Sequence, residues 1–233
     1  MNEREARRLE RQIALIGEEA CLRLSESSVL VAGIGGVGGH AAEALCRMGV
    51  GSITLVDNDR VSESNINRQL IATYETVGEL KVEVMERRLK SINPDCRITA
   101  LPLFITRDNA AEIINGSGAD AVLDAVDNVT AKLAMVCAAH EQGRYIFSCM
   151  GAGNKLCGAG FRVADIYGTS VCGLARVMRR ELKKRGIESL DVIYSEELPV
   201  NQGGGAPSSI AYMPAIAGLM AAEQVVKRLM KRK

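Results

Sequence analysis

The stretch Val31-Ala-Gly-Ile-Gly-Gly-Val-Gly-Gly39 predicts the fold of this chain. It contains the end of a short apolar run at residues 28–33, which has the length of a buried strand. It leads into residues 40–48, where apolar side chains recur at helical spacing. We therefore predict a strand, a glycine-rich turn and a helix in direct succession.

The glycines of this turn have the spacing of a phosphate-binding loop. Gly33, Gly35 and Gly38 match the pattern G-x-G-x-x-G, and Gly36 lies between them. Such glycines let backbone N–H groups approach a phosphate, and the start of a helix favours the negative charge. Asp57 ends a second predicted strand 19 residues after Gly38, where a carboxylate accepts the ribose hydroxyls of an adenine nucleotide. The turn therefore predicts nucleotide binding, and a turn used only for packing is the alternative.

Strands and helices alternate along the first ~150 residues. The predicted strands are residues 28–33, 52–57, 97–103, 119–126 and 145–150. The predicted helices between them are residues 40–48, 80–92 and 129–142. This order is typical of an α/β fold with a Rossmann-like, doubly wound and mostly parallel sheet that has helices on both faces. The length suits one such domain over residues 1–233.

We expect three parts within this domain. Residues 1–27 form N-terminal helices, and residues 28–150 form the nucleotide-binding core. Residues 151–233 form a C-terminal extension on the side where we expect the second substrate, the acceptor, to bind. The extension contains a basic helix, a glycine-rich loop at residues 201–209 and a closing helix at residues 213–231.

Composition excludes several classes of protein. Apolar residues make up 47% of the chain and charged residues 24%, with a formal net charge of +1, so overall charge predicts no partner. No apolar run approaches the ~20 residues that span a bilayer, and the charged N-terminus lacks a signal-peptide core. Seven cysteines without CxxC spacing argue against a zinc site built from CxxC pairs and for reduced thiols in a cytoplasmic protein.

A second group of polar residues indicates the chemistry. Asp59 follows the second strand, Arg68 and Gln69 belong to the segment SNINRQ at residues 64–69, and Lys81 begins the next helix. Transfer to a nucleotide α-phosphate needs arginine, lysine and Mg²⁺ to stabilise charge on phosphoryl oxygens, whereas hydride transfer does not. We interpret these residues as a phosphoryl-transfer site, and the alternative is a solvated surface.

Asp127 ends the fourth predicted strand in the segment DAVDN at residues 124–128. Ligands of open α/β sheets bind at the carboxyl ends of the strands, and one or two carboxylates can hold Mg²⁺ there. Asp127 is therefore the predicted metal ligand. Asp124 is the competing candidate, but it lies deeper in the strand.

In their order and spacing, the segments GIGGVG, LVDND, SNINRQ, VGELK and DAVDN resemble the ThiF/MoeB superfamily, the bacterial relatives of ubiquitin-activating enzymes. The resemblance runs from Arg8 to about Gly153 and implies ATP-dependent adenylation of a carboxylate. It implies that Asn65, Arg68 and Lys81 contact the phosphates with Gln69 beside them. It further implies that the glycines line the phosphate loop, that Asp57 holds the ribose and that Asp127 binds magnesium.

The same resemblance gives a role to Arg11. This residue matches a family arginine that reaches the ATP of the other subunit, which implies a homodimer. The implied catalytic residues are therefore Arg11, Arg68, Lys81 and Asp127.

Beyond residue 153 the chain is similar to the branch of this superfamily that dehydrates threonylcarbamoyladenosine in tRNA. The similarity lies in the segments LARV at 174–177, RREL at 179–182 and YSEE at 194–197. Enzymes of that branch adenylate the threonine carboxylate of the modified adenosine next to the anticodon, and its own carbamoyl group then closes a ring with net loss of water. Sulfur-carrier activators usually carry two CxxC pairs, and the absence of such pairs from this chain favours the dehydratase branch. The pair Cys172-Gly173 is a departure, because the branch often has proline before Leu-Ala.

The basic helix predicts a surface for RNA. Residues 174–186 contain six basic side chains and one acid, Glu181, so the local charge is six minus one, or +5. The basic residues are Arg176, Arg179, Arg180, Lys183, Lys184 and Arg185. Three Phe, five Tyr and no Trp leave little capacity for base stacking, so we expect contacts with the RNA backbone. The alternative is a solvated helix face.

Three other functions stay open at this point. An activating enzyme for a small ubiquitin-like sulfur carrier would use the same ATP site. A regulator or sulfur-relay partner would bind nucleotide without chemistry, and a dehydrogenase would bind a nicotinamide cofactor. A sulfur-relay protein is also a possible partner of the enzyme itself. Cys172 precedes a predicted helix, where a thiol can be activated, although a buried structural cysteine is the alternative.

Overall fold

The structure is a computed structural model that describes residues 3–200 and 207–231. Most of the predicted glycine-rich loop, residues 201–206, lies outside the described residues. Within these ranges no helix is long and apolar enough to cross a membrane. The described part of the predicted N-terminal helical region contains three helices, and Gly17 at φ +84° separates the second from the third. These helices are α1 (Glu3–Arg8), α2 (Glu10–Ile16) and α3 (Glu18–Ser25).

The described residues form one seven-stranded sheet with the order β3-β2-β1-β4-β5-β7-β6. Its strands are β1 (Ser28–Ala32), β2 (Ser52–Val56), β3 (Arg97–Leu101), β4 (Ala121–Asp124), β5 (Tyr145–Cys149), β6 (Phe161–Asp165) and β7 (Asp191–Ser195). All neighbours run parallel except β6, which is antiparallel to β7. The strand order reverses direction between β1 and β4, which confirms the predicted doubly wound fold.

In the described part of the chain, six further α-helices follow α3 and cover both faces of this sheet. They are α4 (Gly36–Arg47), α5 (Lys81–Ile92), α6 (Ala110–Ser117), α7 (Val129–Glu141), α8 (Gly173–Lys184) and α9 (Tyr212–Met230). Buried side chains of α4, α5 and α9 form one core with the sheet, and those of α6, α7 and α8 form the other. Helix α4 begins at Gly36, four residues before the predicted start, so its first turn contains three of the glycines.

Three elements were not predicted: α6, β6 and β7. In β6 only the first residue, Phe161, is buried, because this strand is the edge of the sheet and pairs on one side. Strand β7 is almost completely buried between β5 and β6. Residues of the predicted extension therefore continue the same sheet, and pairing with β5 organises these short strands.

The long helix α9 packs directly against α4. A Cβ placed on Gly218 of α9 would lie 2.3 Å from the carbonyl oxygen of Val37, which is much closer than carbon and oxygen can approach. The two backbones therefore touch at this crossing. Since α4 begins at the glycine-rich turn, α9 supports that turn from behind.

Gly218→Ala is expected to destabilise the protein by roughly 1–3 kcal/mol, because the added methyl group separates α9 from α4. The matched control is Gly116→Ala in α6, where the new Cβ would meet nothing within 4 Å among the described residues, its chain neighbours and the nearby backbone of α6 apart. The control should be neutral or stabilising by up to ~1 kcal/mol through helix propensity. Thermal and urea unfolding measure both variants, and equal stabilities would contradict the close crossing.

Candidate nucleotide-binding site

A cleft of about 570 Å³ opens at the carboxyl ends of the central strands. Ligands of doubly wound folds bind at this edge, where the strand order reverses. Nine of the twelve predicted site residues line the cleft, and Arg11, Gly38 and Asn65 do not. The nine are Gly33, Gly35, Gly36, Asp57, Asp59, Arg68, Gln69, Lys81 and Asp127.

The glycines of the turn serve two purposes. Gly33 has φ +87°, and a Cβ there would lie 2.8 Å from the backbone of Ala125. A Cβ on Gly38 would lie 1.8 Å from the carbonyl oxygen of Gly33, so both positions need glycine for packing. Gly35 is different, because its Cβ would meet only Gln69 at 3.7 Å. Gly35 therefore leaves open space at the start of α4, where no side chain caps the first N–H groups.

Asp57 joins the turn to the end of β2. One carboxylate oxygen accepts the N–H of Ile34 at 2.6 Å, and the other accepts the N–H of Asp59 at 2.8 Å. Burial raises the pKa of Asp57 above its ordinary value, while these N–H groups and the charge of Lys81 act in the opposite direction. Each oxygen keeps a second lone pair for a hydroxyl donor.

Two positively charged side chains, Arg68 and Lys81, line the cleft. The buried Lys81 donates to Asp59 at 2.8 Å, and Asp59 itself is largely exposed. Arg68 donates to the backbone oxygen of Ser64 and to the side chain of Asn67. Both cations therefore reach the cleft with their positions already restrained.

Two neighbouring amides behave differently. Gln69 is 8% exposed, and its Oε1 has no hydrogen-bond partner among the described residues. Buried polar atoms nearly always have a hydrogen-bond partner, so this oxygen is available to a donor on a bound ligand or water. Asn65 instead accepts the N–H of Ser62 and closes the turn that precedes Arg68. Its predicted contact with phosphate stays a prediction.

The two candidate metal ligands lie in different surroundings. Asp127 is exposed at the rim of the cleft, whereas Asp124 is completely buried and receives a hydrogen bond from Lys132 at 2.7 Å. The described residues contain no group of three or more His, Cys, Asp or Glu side chains that could hold a metal ion. A divalent ion here would depend on Asp127, on phosphate oxygens and on water, which is the ordinary manner of Mg²⁺ binding.

The far wall of the cleft joins residues near 153 to the described end of the predicted glycine-rich loop, residues 207–209. Gly153 and Pro207 touch, since a Cβ on Gly153 would lie 2.6 Å from that of Pro207. Asn154 exchanges three backbone and side-chain hydrogen bonds with Ser208 and Val200, and Asn67 donates to Ser209. The glycines at 151 and 153 were a signal of this close approach, but its partner could not be identified without the fold.

Two of the residues singled out in the sequence lie away from the cleft. Arg11 is exposed on α2, and one turn later Leu15 is 83% exposed. Cys172 is 7% exposed and caps α8, where its sulfur accepts the N–H of Ala175 at 3.5 Å. The cysteine is thus buried in a structural position.

The basic residues of α8 divide into two groups. Arg179 is partly buried and donates to the backbone and hydroxyl oxygens of Thr169, so it anchors the helix. Glu181 pairs with Arg180, Lys184 and Arg185, and these partners lower its pKa to about 2. Arg176 and Lys183 are exposed and share a helical face with Arg180.

A doubly wound sheet with a glycine turn, an acid at the end of the second strand and restrained cations at one cleft defines a nucleotide-binding α/β protein. The chain belongs to the ThiF family, whose model matches residues 9–233, and this confirms the resemblance seen in the sequence.

Known proteins extend this assignment. The chain is 38% identical over 234 residues to the tRNA threonylcarbamoyladenosine dehydratase of Bacillus subtilis, with 93% of this chain and 92% of that protein covered. The Escherichia coli tRNA N6-threonylcarbamoyladenosine dehydratase TcdA in complex with ATP superimposes with a TM-score of 0.92 at 33% identity, with 98% and 96% covered. A sulfur carrier protein adenylyltransferase of Thermus thermophilus is 42% identical, but over only 52% of this chain and 45% of its own length.

Proposed function

We propose that this protein is an ATP-dependent tRNA threonylcarbamoyladenosine dehydratase. The observation that carries the proposal is similarity over the whole chain to dehydratases, including the part after residue 150 that adds β6, β7 and α8 to the fold. Similarity to sulfur carrier adenylyltransferases covers between about half and two thirds of the chain. Because ATP and tRNA are its substrates, we expect the enzyme to act in the cytoplasm.

The residues of the cleft fit ATP. The open space at Gly35 and the uncapped start of α4 receive the phosphates, and Asp57 accepts the ribose hydroxyls. Arg68 and Lys81 supply positive charge beside them. Gln69 offers its unpaired amide oxygen to the bound substrate or its water.

The reaction has two stages. In the first, the threonine carboxylate attacks the α-phosphate, an acyl adenylate forms and pyrophosphate leaves. In the second, the carbamoyl group of the same nucleoside attacks the activated carbonyl carbon, the ring closes and AMP leaves. Arg68 and Lys81 stabilise the charge that develops on the phosphoryl oxygens.

Asp127 would hold Mg²⁺, which neutralises phosphate charge when it is bound. A single carboxylate suits this ion, because substrate phosphates and water complete its shell. The exposed position of Asp127 at the rim leaves room for those further ligands.

The active enzyme is a homodimer in which Arg11 completes the partner's site. This residue lies outside the cleft of its own chain, on an exposed helix face next to the apolar Leu15. Such a face suits a two-fold interface, where each subunit gives the same residues to the other. Docking of a sulfur-relay protein is a further proposal that the described residues do not favour or oppose.

The tRNA backbone lies along α8. Arg176, Arg180 and Lys183 form an exposed stripe at intervals of four and three residues, which suits successive phosphates. The second candidate function, activation of a sulfur carrier protein, gives no role to this stripe. It is favoured by partial similarity to the Thermus thermophilus sulfur carrier protein adenylyltransferase.

Asp57→Ala should weaken ATP binding at least tenfold, about 1.4 kcal/mol, because it removes the ribose acceptor and frees the N–H of Ile34. Asp127→Ala should leave metal-free ATP binding within about threefold but slow ATP–pyrophosphate exchange at least ~100-fold. Calorimetry in chelator and exchange assays in Mg²⁺ measure the two effects. Asp108→Ala, an exposed aspartate outside the cleft, is the matched control. Equal losses of binding in both variants would refute this division of roles.

Arg11→Ala and Lys81→Ala should each be nearly inactive, whereas their mixture should recover up to about a quarter of wild-type activity. Half of randomly exchanged dimers combine the two variants, and one site of each such dimer then has both residues intact. Lys81→Ala mixed with the double variant is the control and should recover nothing. If subunit exchange is verified and the first mixture stays inactive, Arg11 does not act across an interface.

Charge reversal of Arg176, Arg180 and Lys183 should weaken tRNA binding and reduce the slope of its salt dependence by roughly 0.7–0.9 for each phosphate that the variant no longer neutralises. Arg179 is left unchanged because it anchors α8 through Thr169. The matched control reverses Arg87 and Lys90 in α5 and Arg97 in the edge strand β3, with the same change in net charge. Equal tRNA affinity in the two triple variants would make the stripe a solvated face.

A further inference from the structure

Three completely buried side chains form a polar network directly below the cleft. They are Asp124 at the end of β4, Lys132 in α7 and Ser148 in β5, each 0% exposed. Lys132 Nζ donates to Asp124 Oδ2 at 2.7 Å and to Ser148 Oγ at 3.3 Å, and the Ser148 hydroxyl donates to the same carboxylate oxygen. The network thus joins two neighbouring strands to the helix that covers them.

Stability alone does not explain a pair of this kind. Removing two charges from water costs several kcal/mol per ion, and a well-packed apolar pair is often equally stable or more stable. A buried pair does restrict geometry, since both partners keep their hydrogen bonds in only one arrangement. The value of the pair to the protein therefore lies in the segment that it holds in place.

The network restrains the loop at residues 125–128, which lines the cleft and contains Asp127. At one end, the second oxygen of Asp124 accepts the N–H of Val126 at 3.2 Å. At the other end, Asn128 caps α7 by accepting the N–H of Ala131, one residue before Lys132. Lys132 extends back from the first turn of α7 to the end of β4 and braces the loop across its whole length.

The same loop contacts the glycine-rich turn. Ala125 lies against Gly33 and Gly38, where an added Cβ would come within 2.8 Å and 3.2 Å of it. A shift of the loop would therefore change the distance between Asp127 and the bound phosphates. An ion that bridges a carboxylate and a phosphate depends on that distance.

We propose that Lys132 and Asp124 are positioning residues that hold the loop at residues 125–128 so that Asp127 faces the nucleotide phosphates. This inference rests on the proposed role of Asp127 as the metal ligand. Lys132 does not reach the cleft itself, so it acts through the loop and touches neither substrate.

The test is a double variant, Asp124→Leu with Lys132→Met, which removes both charges together and avoids an unpaired buried ion. Calorimetry measures ATP affinity in chelator and in saturating Mg²⁺, and the ratio of the two affinities reports how well the metal is held. The ratio should fall about tenfold, as for other residues that orient a metal ligand. Metal-free ATP affinity should stay within about threefold. A purely structural role would lower both affinities equally.

The control is the same replacement in an exposed pair, Glu223→Leu with Lys227→Met in α9, which should leave the ratio unchanged. A folded Asp124→Leu/Lys132→Met variant with a wild-type ratio overturns the inference. If that variant fails to fold, Ser148→Ala decides, because it keeps the ion pair and removes one contact of the carboxylate. A ratio reduced about threefold supports the inference, and an unchanged ratio overturns it.

Asp127→Ala separates failure of this inference from failure of the proposed function. If Asp127→Ala keeps the wild-type ratio, Asp127 is not the metal ligand and the premise is wrong. If Asp127→Ala lowers the ratio of the two ATP affinities while the folded double variant keeps the wild-type ratio, Asp127 is the metal ligand and the proposed positioning role of Asp124 and Lys132 is wrong.

Discussion

The contact between Gly38 and the carbonyl oxygen of Gly33 is the constraint on which the rest of the structure depends. A Cβ at Gly38 would lie 1.8 Å from that oxygen, so any other residue would push the start of α4 away from the end of β1. The same close approach allows Ala125 to pack against Gly33 and allows α9 to cross α4 at Gly218. One strand–turn–helix unit thus sets the positions of the phosphate-side loop, of the next loop in the sheet and of the closing helix.

Charge in the cleft follows from this geometry. Asp57 is half-buried where β2 ends beside the turn, and this burial raises its pKa, while N–H groups from Ile34 and Asp59 act in the opposite direction. Lys81 is buried beside Asp59, so in the proposed role its long side chain would lose little further conformational freedom on contact with a phosphate. Groups restrained before the substrate binds stabilise a transition state without the cost of reorganisation. The cleft therefore combines open space above Gly35 with charges that are already oriented.

The residues after position 150 are part of the same sheet and not a separate appendage. Strand β7 pairs with β5 and is buried, and β6 forms the edge. Helix α8 packs its apolar side on α7 and turns its basic side to solvent, with Arg179 holding the helix to Thr169. A charged surface on a rigid element next to the adenylation cleft can present a large substrate in one orientation. On this surface Glu181 forms ion pairs with three of the basic side chains, Arg180, Lys184 and Arg185.

The sequence by itself determined the doubly wound core, the glycine turn and the polar segments at the strand ends. These features are local: glycine spacing, apolar runs and residues that follow a strand in the chain need no information about distant contacts. Only the tertiary structure decided that Asp124 is buried against Lys132 while Asp127 is exposed three residues later, because the partner helix must be in place. It also revealed β6 and β7, whose short segments become strands through pairing with β5. The wall formed by Gly153, Asn154 and Pro207 was likewise invisible in the sequence, since it joins segments more than 50 residues apart by hydrogen bonds and close backbone contacts.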